Sequence, residues 1–138
     1  MTVSPEQLDI ADRLEILDLY ARYNHAIDAG SGDAWRTCFA EDGFLSLPYR
    51  NVVHRGDAAL RRTAEEFPSK TDGRGRHVVT NVTLAPRREG VSGLAHLALI
   101  RGGWGDAPPA IELTGRYRDL LVRESGRWCF ASRVLEAD

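Results

Sequence analysis

The chain has 138 residues, of which 43% are hydrophobic and 28% are charged. This balance is typical of one globular domain, and we expect a single domain over residues 1–138. The formal net charge of −2 gives no electrostatic reason to expect nucleic acid or an anionic membrane as a partner. No run approaches membrane-spanning length and no leader pattern is present, so we expect a cytoplasmic protein.

The two cysteines, Cys38 and Cys129, form no CxxC motif and have no histidine at a short, metal-ligand spacing. This pattern argues against a structural zinc site. Both residues lie in partly apolar contexts, which predicts two buried thiols in a reducing compartment. We expect the protein to use no metal ion and no cofactor.

The first predicted element is a long helix. The capping pattern over residues 4–7 predicts that it begins there, and it runs to about Ala29, before the breaker Gly30-Ser31-Gly32. Apolar residues at helical spacing form one stripe, which is predicted to face the core. The stripe consists of Ile10, Leu14, Leu17 and Ala21, widened by Tyr20 and Ile27.

Asp28 continues this stripe beyond Asn24, so the helix points a carboxylate in the direction of its core face. A buried carboxylate must be paired, hydrogen-bonded or neutralised, because desolvating it alone is costly. We interpret Asp28 as facing an internal cavity, where it orients a histidine. The alternative is that Asp28 caps the helix end or the turn AGSGD that follows.

Two shorter helices and six strands complete the predicted fold. The helices are predicted over residues 33–39 and 57–67. A turn at Asp42-Gly43 leads into a strand over 44–47, and residues 51–54 are predicted to pair back on it. The four longer strands are predicted over 76–86, 90–104, 110–124 and 127–135. Helices followed by a run of antiparallel strands predict an α+β fold, in which a curved sheet wraps the helices on one face.

His77 is the first candidate for chemistry, at the start of the first long strand. The period of two places His77, Val79 and Asn81 on one face of that strand. If this face lines the concave side of the sheet, His77 can meet Asp28. An aspartate fixes the tautomer of a histidine and makes its free nitrogen a better general base. The alternative is a structural histidine at a strand start.

The next two strands carry further polar candidates. One face of the strand that follows ends in Arg101 and the other carries His96; we favour the arrangement with Arg101 at the cavity, where it could stabilise an enolate or bind a carboxylate. The alternative is a surface arginine at a strand end. On the strand after it, Tyr117 could donate to a substrate oxygen and Asp119 could pair with Arg133. Alternatively, these are a core aromatic and a structural ion pair.

No GxSxG, HExxH or GxGxxG motif is present. The segment GRGR at residues 73–76 leads into a strand and lacks the phosphate-loop pattern. Of the remaining histidines, His25 on the flank of the first helix and His54 before a turn are predicted to be at least partly exposed.

Four segments together resemble the SnoaL-like branch of the nuclear-transport-factor-2-like superfamily. They are, in chain order, the helix that ends in AID, then DAWRTCFAEDGFL, GRHVVTN and GRYRDLLVRESGRWCFASRVL. The resemblance covers nearly the whole chain. It implies a cone-shaped α+β fold, with three helices packed in a strongly bent antiparallel sheet around a deep apolar pocket. That fold carries dehydratases, dehydrochlorinases, isomerases, cyclases and non-catalytic subunits.

The resemblance also implies site residues. Scytalone dehydratase, hexachlorocyclohexane dehydrochlorinase and bile acid 7α-dehydratase use a histidine backed by an aspartate, and His77 and Asp28 resemble these two residues. Tyr23 resembles a tyrosine of the bile acid enzyme, and Tyr49 a substrate-activating tyrosine of scytalone dehydratase. The second histidine of scytalone dehydratase falls near Arg101 here, a departure that argues against scytalone as the substrate.

We therefore predict a cofactor-independent lyase or isomerase that acts on a small, largely apolar, oxygenated ring compound, with dehydratase-type elimination as the first choice. The predicted catalytic residues are His77, Asp28 and Tyr23, and the predicted substrate-binding residues are Tyr49, Asn81, Arg101 and Tyr117. The alternatives are a polyketide-type cyclase and a non-catalytic binding or assembly protein, since the small subunits of ring-hydroxylating dioxygenases have a similar C-terminal strand pattern. A homodimer or homotrimer is expected, because apolar residues such as Ile100 and Val122 are predicted on the outer face of the sheet.

Overall fold

A computed structural model of the protein describes residues 8–138. The helices are α1 (Ile10–Asp28), α2 (Gly32–Arg36) and α3 (Asp57–Lys70). The strands are β1 (Phe39–Leu47), β2 (Val52–Arg55), β3 (Gly75–Arg87), β4 (Gly90–Arg101), β5 (Ala110–Glu124) and β6 (Arg127–Ala137). A short 3₁₀ turn, Pro48–Arg50, joins β1 to β2. The predicted fold class is confirmed, with three helices packed against a curved sheet.

The strands form one sheet in the order β2-β1-β6-β5-β4-β3. Neighbouring strands are antiparallel except β1 and β6, which run parallel, so the sheet is mixed rather than wholly antiparallel. Next to the start of the parallel pair, the Phe130 N–H donates to the carbonyl oxygen of Cys38, the residue before β1, at 2.8 Å. β3 lies at one edge of the sheet, and α1 packs against it.

Register shifts interrupt four of the strand pairs, and such bulges bend and twist a strand. The turn predicted at Asp42-Gly43 is one of them: it lies inside β1, where the register against β6 shifts between Phe39 and Phe44. Because β1 already begins at Phe39, the second helix is shorter than predicted and ends at Arg36. The bulges give the sheet the curvature that leaves room for a cavity under the helices.

The buried face of α1 differs from the prediction. Ile10 and Leu14 are 76% and 62% exposed, and Leu17 and Ala21 are exposed as well. The face that packs in the core is the neighbouring one, formed by Ile16, Leu19, Tyr20, Tyr23, Asn24, Ala26 and Ile27. Apolar side chains occupy two stripes of this helix, so periodicity could not decide between them. The stripe with the larger aromatic surface is buried, since it removes more apolar area from water.

The ends of two helices also differ from the predictions. Asp9 caps α1, accepting a hydrogen bond from the Asp12 N–H at 2.8 Å, so the helix begins at Ile10; the predicted capping pattern at residues 4–7 lies outside the described residues. α3 continues through Pro68 to Lys70, three residues past the predicted end at Phe67. The Pro68 ring packs against Gly30, where an added Cβ would lie 2.8 Å from the proline Cγ.

Cys38 and Cys129 are free and buried, as predicted. Burial raises the pKa of both thiols to about 11, so both are protonated at neutral pH. Among the helices of residues 8–138, none is long and apolar enough to span a membrane.

Candidate active site

A cavity of about 480 Å³ lies between the helices and the concave face of the sheet. Apolar side chains form much of its wall, including Ile27, Leu45, Leu47, Leu97, Leu99, Leu113 and Leu135. The uncharged polar side chains and histidines that reach it are Tyr23, Tyr49, His54, Thr63, Thr71, His77 and Tyr117. An apolar space of this size with a few convergent polar groups is typical of a site for a small molecule.

His77 and Asp28 are in direct contact. The His77 Nδ1 lies 2.7 Å from Oδ1 of Asp28, and the backbone N–H of His77 donates to the same carboxylate at 3.1 and 3.2 Å. The backbone N–H can do so because β3 is an edge strand. The Phe67 ring packs on the imidazole with 4.8 Å between ring centroids. Gly75 makes room for Phe67, since an added Cβ would lie 2.7 Å from the ring.

This contact fixes which nitrogen of His77 is available. A carboxylate only accepts hydrogen bonds, so Nδ1 carries the proton that Asp28 accepts. The Nε2 atom is then an acceptor, and it makes no hydrogen bond to any residue from 8 to 138. Because His77 lines the cavity, this arrangement leaves the imidazole with one lone pair for a bound molecule.

The two members of the pair face different spaces. His77 lines both the cavity and a groove of about 810 Å³ on the other side, between α1 and β3. Asp28 lines the groove and is not part of the cavity wall, which differs from the prediction that it faces the cavity. Its side chain is 19% exposed, against 10% for His77. The carboxylate is therefore accessible to water from the groove, while the ring reaches the cavity.

A second carboxylate, that of Asp119, is completely buried and pairs with Arg133. Arg133 donates from Nε and Nη2 to Asp119 at 2.9 and 3.1 Å, which confirms the predicted pair. The Tyr20 hydroxyl donates to the same carboxylate at 2.5 Å. Burial and the charge of Asp119 raise the pKa of Tyr20, so the phenol stays protonated. Gly93 is needed here, because an added Cβ would lie 2.3 Å from the Tyr20 oxygen.

Arg133 joins this pair to the cavity through aromatic rings. Its guanidinium carbon lies 3.6 Å from the ring centroid of Tyr117 and 4.4 Å from that of Tyr23, both of which line the cavity. The Tyr23 hydroxyl and the Arg133 Nη1 are buried and have no hydrogen-bond partner within residues 8–138. Burial raises the pKa of Tyr23 well above its usual value, and that of Tyr117 to about 12. Both phenols therefore remain hydrogen-bond donors.

The other predicted site residues divide into two groups. Tyr49 lines the mouth of the cavity and is 49% exposed. Asn81 is exposed, with a φ of +58°, at the bulge where the register between β3 and β4 shifts, so it no longer shares a face with His77. Arg101 pairs with Glu112 on β5 outside the cavity wall, because the register of β4 against β5 shifts after Leu99.

His54 lies in the cavity wall and was missed in the sequence as a site residue. Its Nδ1 lies 3.1 Å from the Thr63 hydroxyl on α3. Burial lowers the pKa of His54, and so do the charges of Arg50 and Lys70. One signal was available: His54 is two residues from Val52, which shares its face of β2 and also lines the cavity.

The three helices and the curved sheet have the arrangement of the NTF2-like, cystatin-like α+β fold. A model of the SnoaL-like domain matches residues 9–134, and the chain belongs to that family. No curated protein matched the chain significantly.

Three solved structures are similar to most of this chain. A variant of Rv3472, a protein of unknown function from Mycobacterium tuberculosis, is 29% identical, covers 95% of this chain and 77% of its own, and has a TM-score of 0.81. Aln2 from a Streptomyces species is 26% identical, with 100% and 95% covered and a TM-score of 0.80. A scytalone dehydratase-like protein from Novosphingobium aromaticivorans is 22% identical, with 94% and 85% covered and a TM-score of 0.78; this likeness shows the fold alone.

Proposed function

We propose that the protein is a cofactor-independent lyase or isomerase for a small, apolar, oxygenated ring compound, and that it works by dehydratase-type elimination. One observation carries the proposal. The imidazole of His77 is fixed through Nδ1 by Asp28 at 2.7 Å and borders a cavity of about 480 Å³, so that Nε2 can act as a base on a bound molecule.

In the proposed reaction, Nε2 of His77 takes a proton from the carbon next to a carbonyl group. The electron pair of that C–H bond forms an enolate and then a carbon–carbon double bond, while the bond to a hydroxyl group on the next carbon breaks. The departing hydroxide takes the proton back from His77 and leaves as water. Asp28 stabilises the imidazolium that exists between these two transfers. For an isomerase, the proton returns to a different carbon instead.

Tyr23 is proposed to polarise the carbonyl group. Its hydroxyl is buried at the cavity, has no partner within residues 8–138 and stays protonated, so it is a donor for an oxygen of the ligand. Its ring packs on the guanidinium of Arg133, whose charge lies close to any oxyanion that accepts from Tyr23. Donors arranged in advance around a developing charge are among the largest contributions to catalysis. Tyr49 and Tyr117 are proposed to contact the rest of the ring system.

The test uses 3-hydroxy-1-tetralone, which has an acidic carbon, a carbonyl and a β-hydroxyl group on one small ring system. Loss of water gives 1-naphthol, which fluorescence detects directly. We expect the protein to accelerate this loss, and His77→Ala to lower kcat/KM by about 10²–10⁴-fold. The matched control is His96→Ala, on the exposed side of β4, which should retain the rate of the unsubstituted protein. A His77→Ala variant that stays folded and retains activity within about tenfold would remove His77 from the mechanism.

A polyketide-type cyclase is a second candidate, because cyclase-like proteins occur among the similar structures. The same base would then form a carbanion that attacks a carbonyl carbon and closes a ring, without loss of hydroxide from the neighbouring carbon. Mass spectrometry of the product separates the two reactions. Elimination lowers the mass of the substrate by one water and forms no new ring, whereas ring closure without loss of hydroxide leaves the mass unchanged.

We also propose that the protein forms a homodimer or homotrimer in the cytoplasm. The exposed apolar residues Ile10, Leu14 and Leu17 on α1 support this, since a second copy could cover them. Light scattering on a size-exclusion column at micromolar concentration tests the proposal, and a monomer there would contradict it.

A further inference from the structure

The mouth of the cavity carries an excess of positive charge. Arg50, Arg62 and Lys70 line it, all three are exposed, and among residues 8–138 Glu66 is the only acidic residue in the wall. The local charge of these four side chains is therefore positive, although the whole chain has a net charge of −2. An anionic group on a ligand would be attracted to this mouth.

The arginines on α3 show that this charge is left unpaired. Arg61 pairs with Asp57 one turn away and with Asp33. The adjacent Arg62 points to the cavity and has no carboxylate within 4 Å among residues 8–138. Two consecutive arginines on one helix thus have opposite surroundings, and the one at the cavity is free to bind an anion.

Arg50 reaches the same mouth from the other side. It is the last residue of the 3₁₀ turn after β1, and within the described part of the chain it has no carboxylate partner either. Lys70, at the end of α3, is only loosely paired with Glu66 at 3.9 Å. After burial, the charges of Arg50 and Lys70 both lower the pKa of His54, so both act on the same side chain of the cavity wall.

From this placement, and on the basis of the proposed function, we propose that the substrate is a ring acid: its apolar ring system enters the cavity and its carboxylate pairs with Arg50 and Arg62 at the mouth. A guanidinium group matches a carboxylate with two parallel hydrogen bonds. Because the mouth borders an apolar space, the attraction is stronger there than between two fully hydrated charges. The carboxylate thereby orients the ring for the base.

The probes are 6-hydroxy-2-naphthoate and its methyl ester, which differ in charge at one end only. We expect calorimetry at low ionic strength to show about tenfold tighter binding of the acid, an advantage that salt reduces. The double variant Arg50→Gln with Arg62→Gln should bind acid and ester equally. Arg116→Gln, which removes one exposed positive charge from β5 outside the cavity wall, should keep the preference.

Equal binding of acid and ester to the unsubstituted protein, or acid binding too weak to measure, would overturn the ring-acid proposal. So would a preference that survives in the double variant. These outcomes leave the elimination chemistry to its own test, because 3-hydroxy-1-tetralone is neutral. Conversely, His77→Ala should still prefer the acid, so a failure of the base mechanism would not imitate a failure of charge recognition.

Discussion

The protein holds two carboxylates in pairs that differ in what they leave free. The side chains of Asp119 and Arg133 are both completely buried, and Tyr20 shares the second carboxylate oxygen with Arg133. The side chain of Asp28 is 19% exposed and binds His77, which lines the cavity. Helix α1 contributes to both pairs, Tyr20 to the first and Asp28 to the second. The closed pair, Asp119 with Arg133, joins β5 to β6. In the open pair, Asp28 with His77, the imidazole Nε2 has no hydrogen-bond partner within residues 8–138.

The comparison teaches that burial alone does not mark a chemical site. The Asp119–Arg133 pair is completely buried, yet it reaches the cavity only through the aromatic rings that pack on Arg133. A buried ion pair that loses one member leaves an uncompensated charge. In the open pair, water can reach the remaining side chain after the same loss. The two pairs should therefore respond differently to the same substitution.

The largest expected effect is on stability. Asp119→Ala leaves the Arg133 guanidinium buried without a counter-charge, and we expect the free energy of unfolding to fall by about 3–5 kcal/mol. Asp28→Ala removes an acceptor that water can replace from the groove, so the fall should be about 1–2 kcal/mol. Urea denaturation followed by tryptophan fluorescence measures both. Similar losses for the two variants would show that the open pair is as structural as the closed one.

The next effect separates two buried tyrosine hydroxyls on α1. Tyr20→Phe removes one of the two hydrogen bonds that Oδ2 of Asp119 accepts, the other being from Arg133, and should cost about 1–3 kcal/mol of unfolding free energy. Tyr23→Phe removes a hydroxyl that has no partner in the described residues, so its effect on the free energy of unfolding should be smaller than that of Tyr20→Phe. The proposed role of Tyr23 requires that the same variant lose activity on 3-hydroxy-1-tetralone. A fully active Tyr23→Phe protein would exclude that role.

The smallest effect concerns His54, the histidine in the cavity wall that has no carboxylate partner among residues 8–138. Its pKa in the folded protein is lowered from the usual 6.5, first by burial and then by Arg50 and Lys70. Below pH 6.5, His54 binds a proton in the unfolded chain but resists it in the folded protein. The free energy of unfolding therefore falls as the pH is lowered, until the folded pKa is reached. His54→Gln should therefore lose less melting temperature between about pH 7 and 5 than the unsubstituted protein. The control His96→Gln should leave the pH dependence of the melting temperature unchanged. The same result for His54→Gln would contradict a lowered pKa of His54 in the folded protein.

The Asp28–His77 contact could be predicted because its two members lie where simple periodicities hold. Asp28 is in the last turn of a regular helix, and His77 lies near the start of a strand, before the first bulge. Asn81 and Arg101 lie at or beyond register shifts, where the period of two no longer applies. A bulge depends on how a strand packs against its neighbours, and the residues of one strand do not specify it.

The sequence by itself determined the element order and the α+β class, because these follow from periods and turns within short segments. It could not decide which of the two apolar stripes of α1 is buried, nor that β1 runs parallel to β6, nor that His54, Arg50 and Arg62 reach one cavity with His77. Each of these depends on surfaces that meet from distant parts of the chain. A buried contact contributes free energy only when both of its surfaces are brought together, and that happens in the tertiary structure.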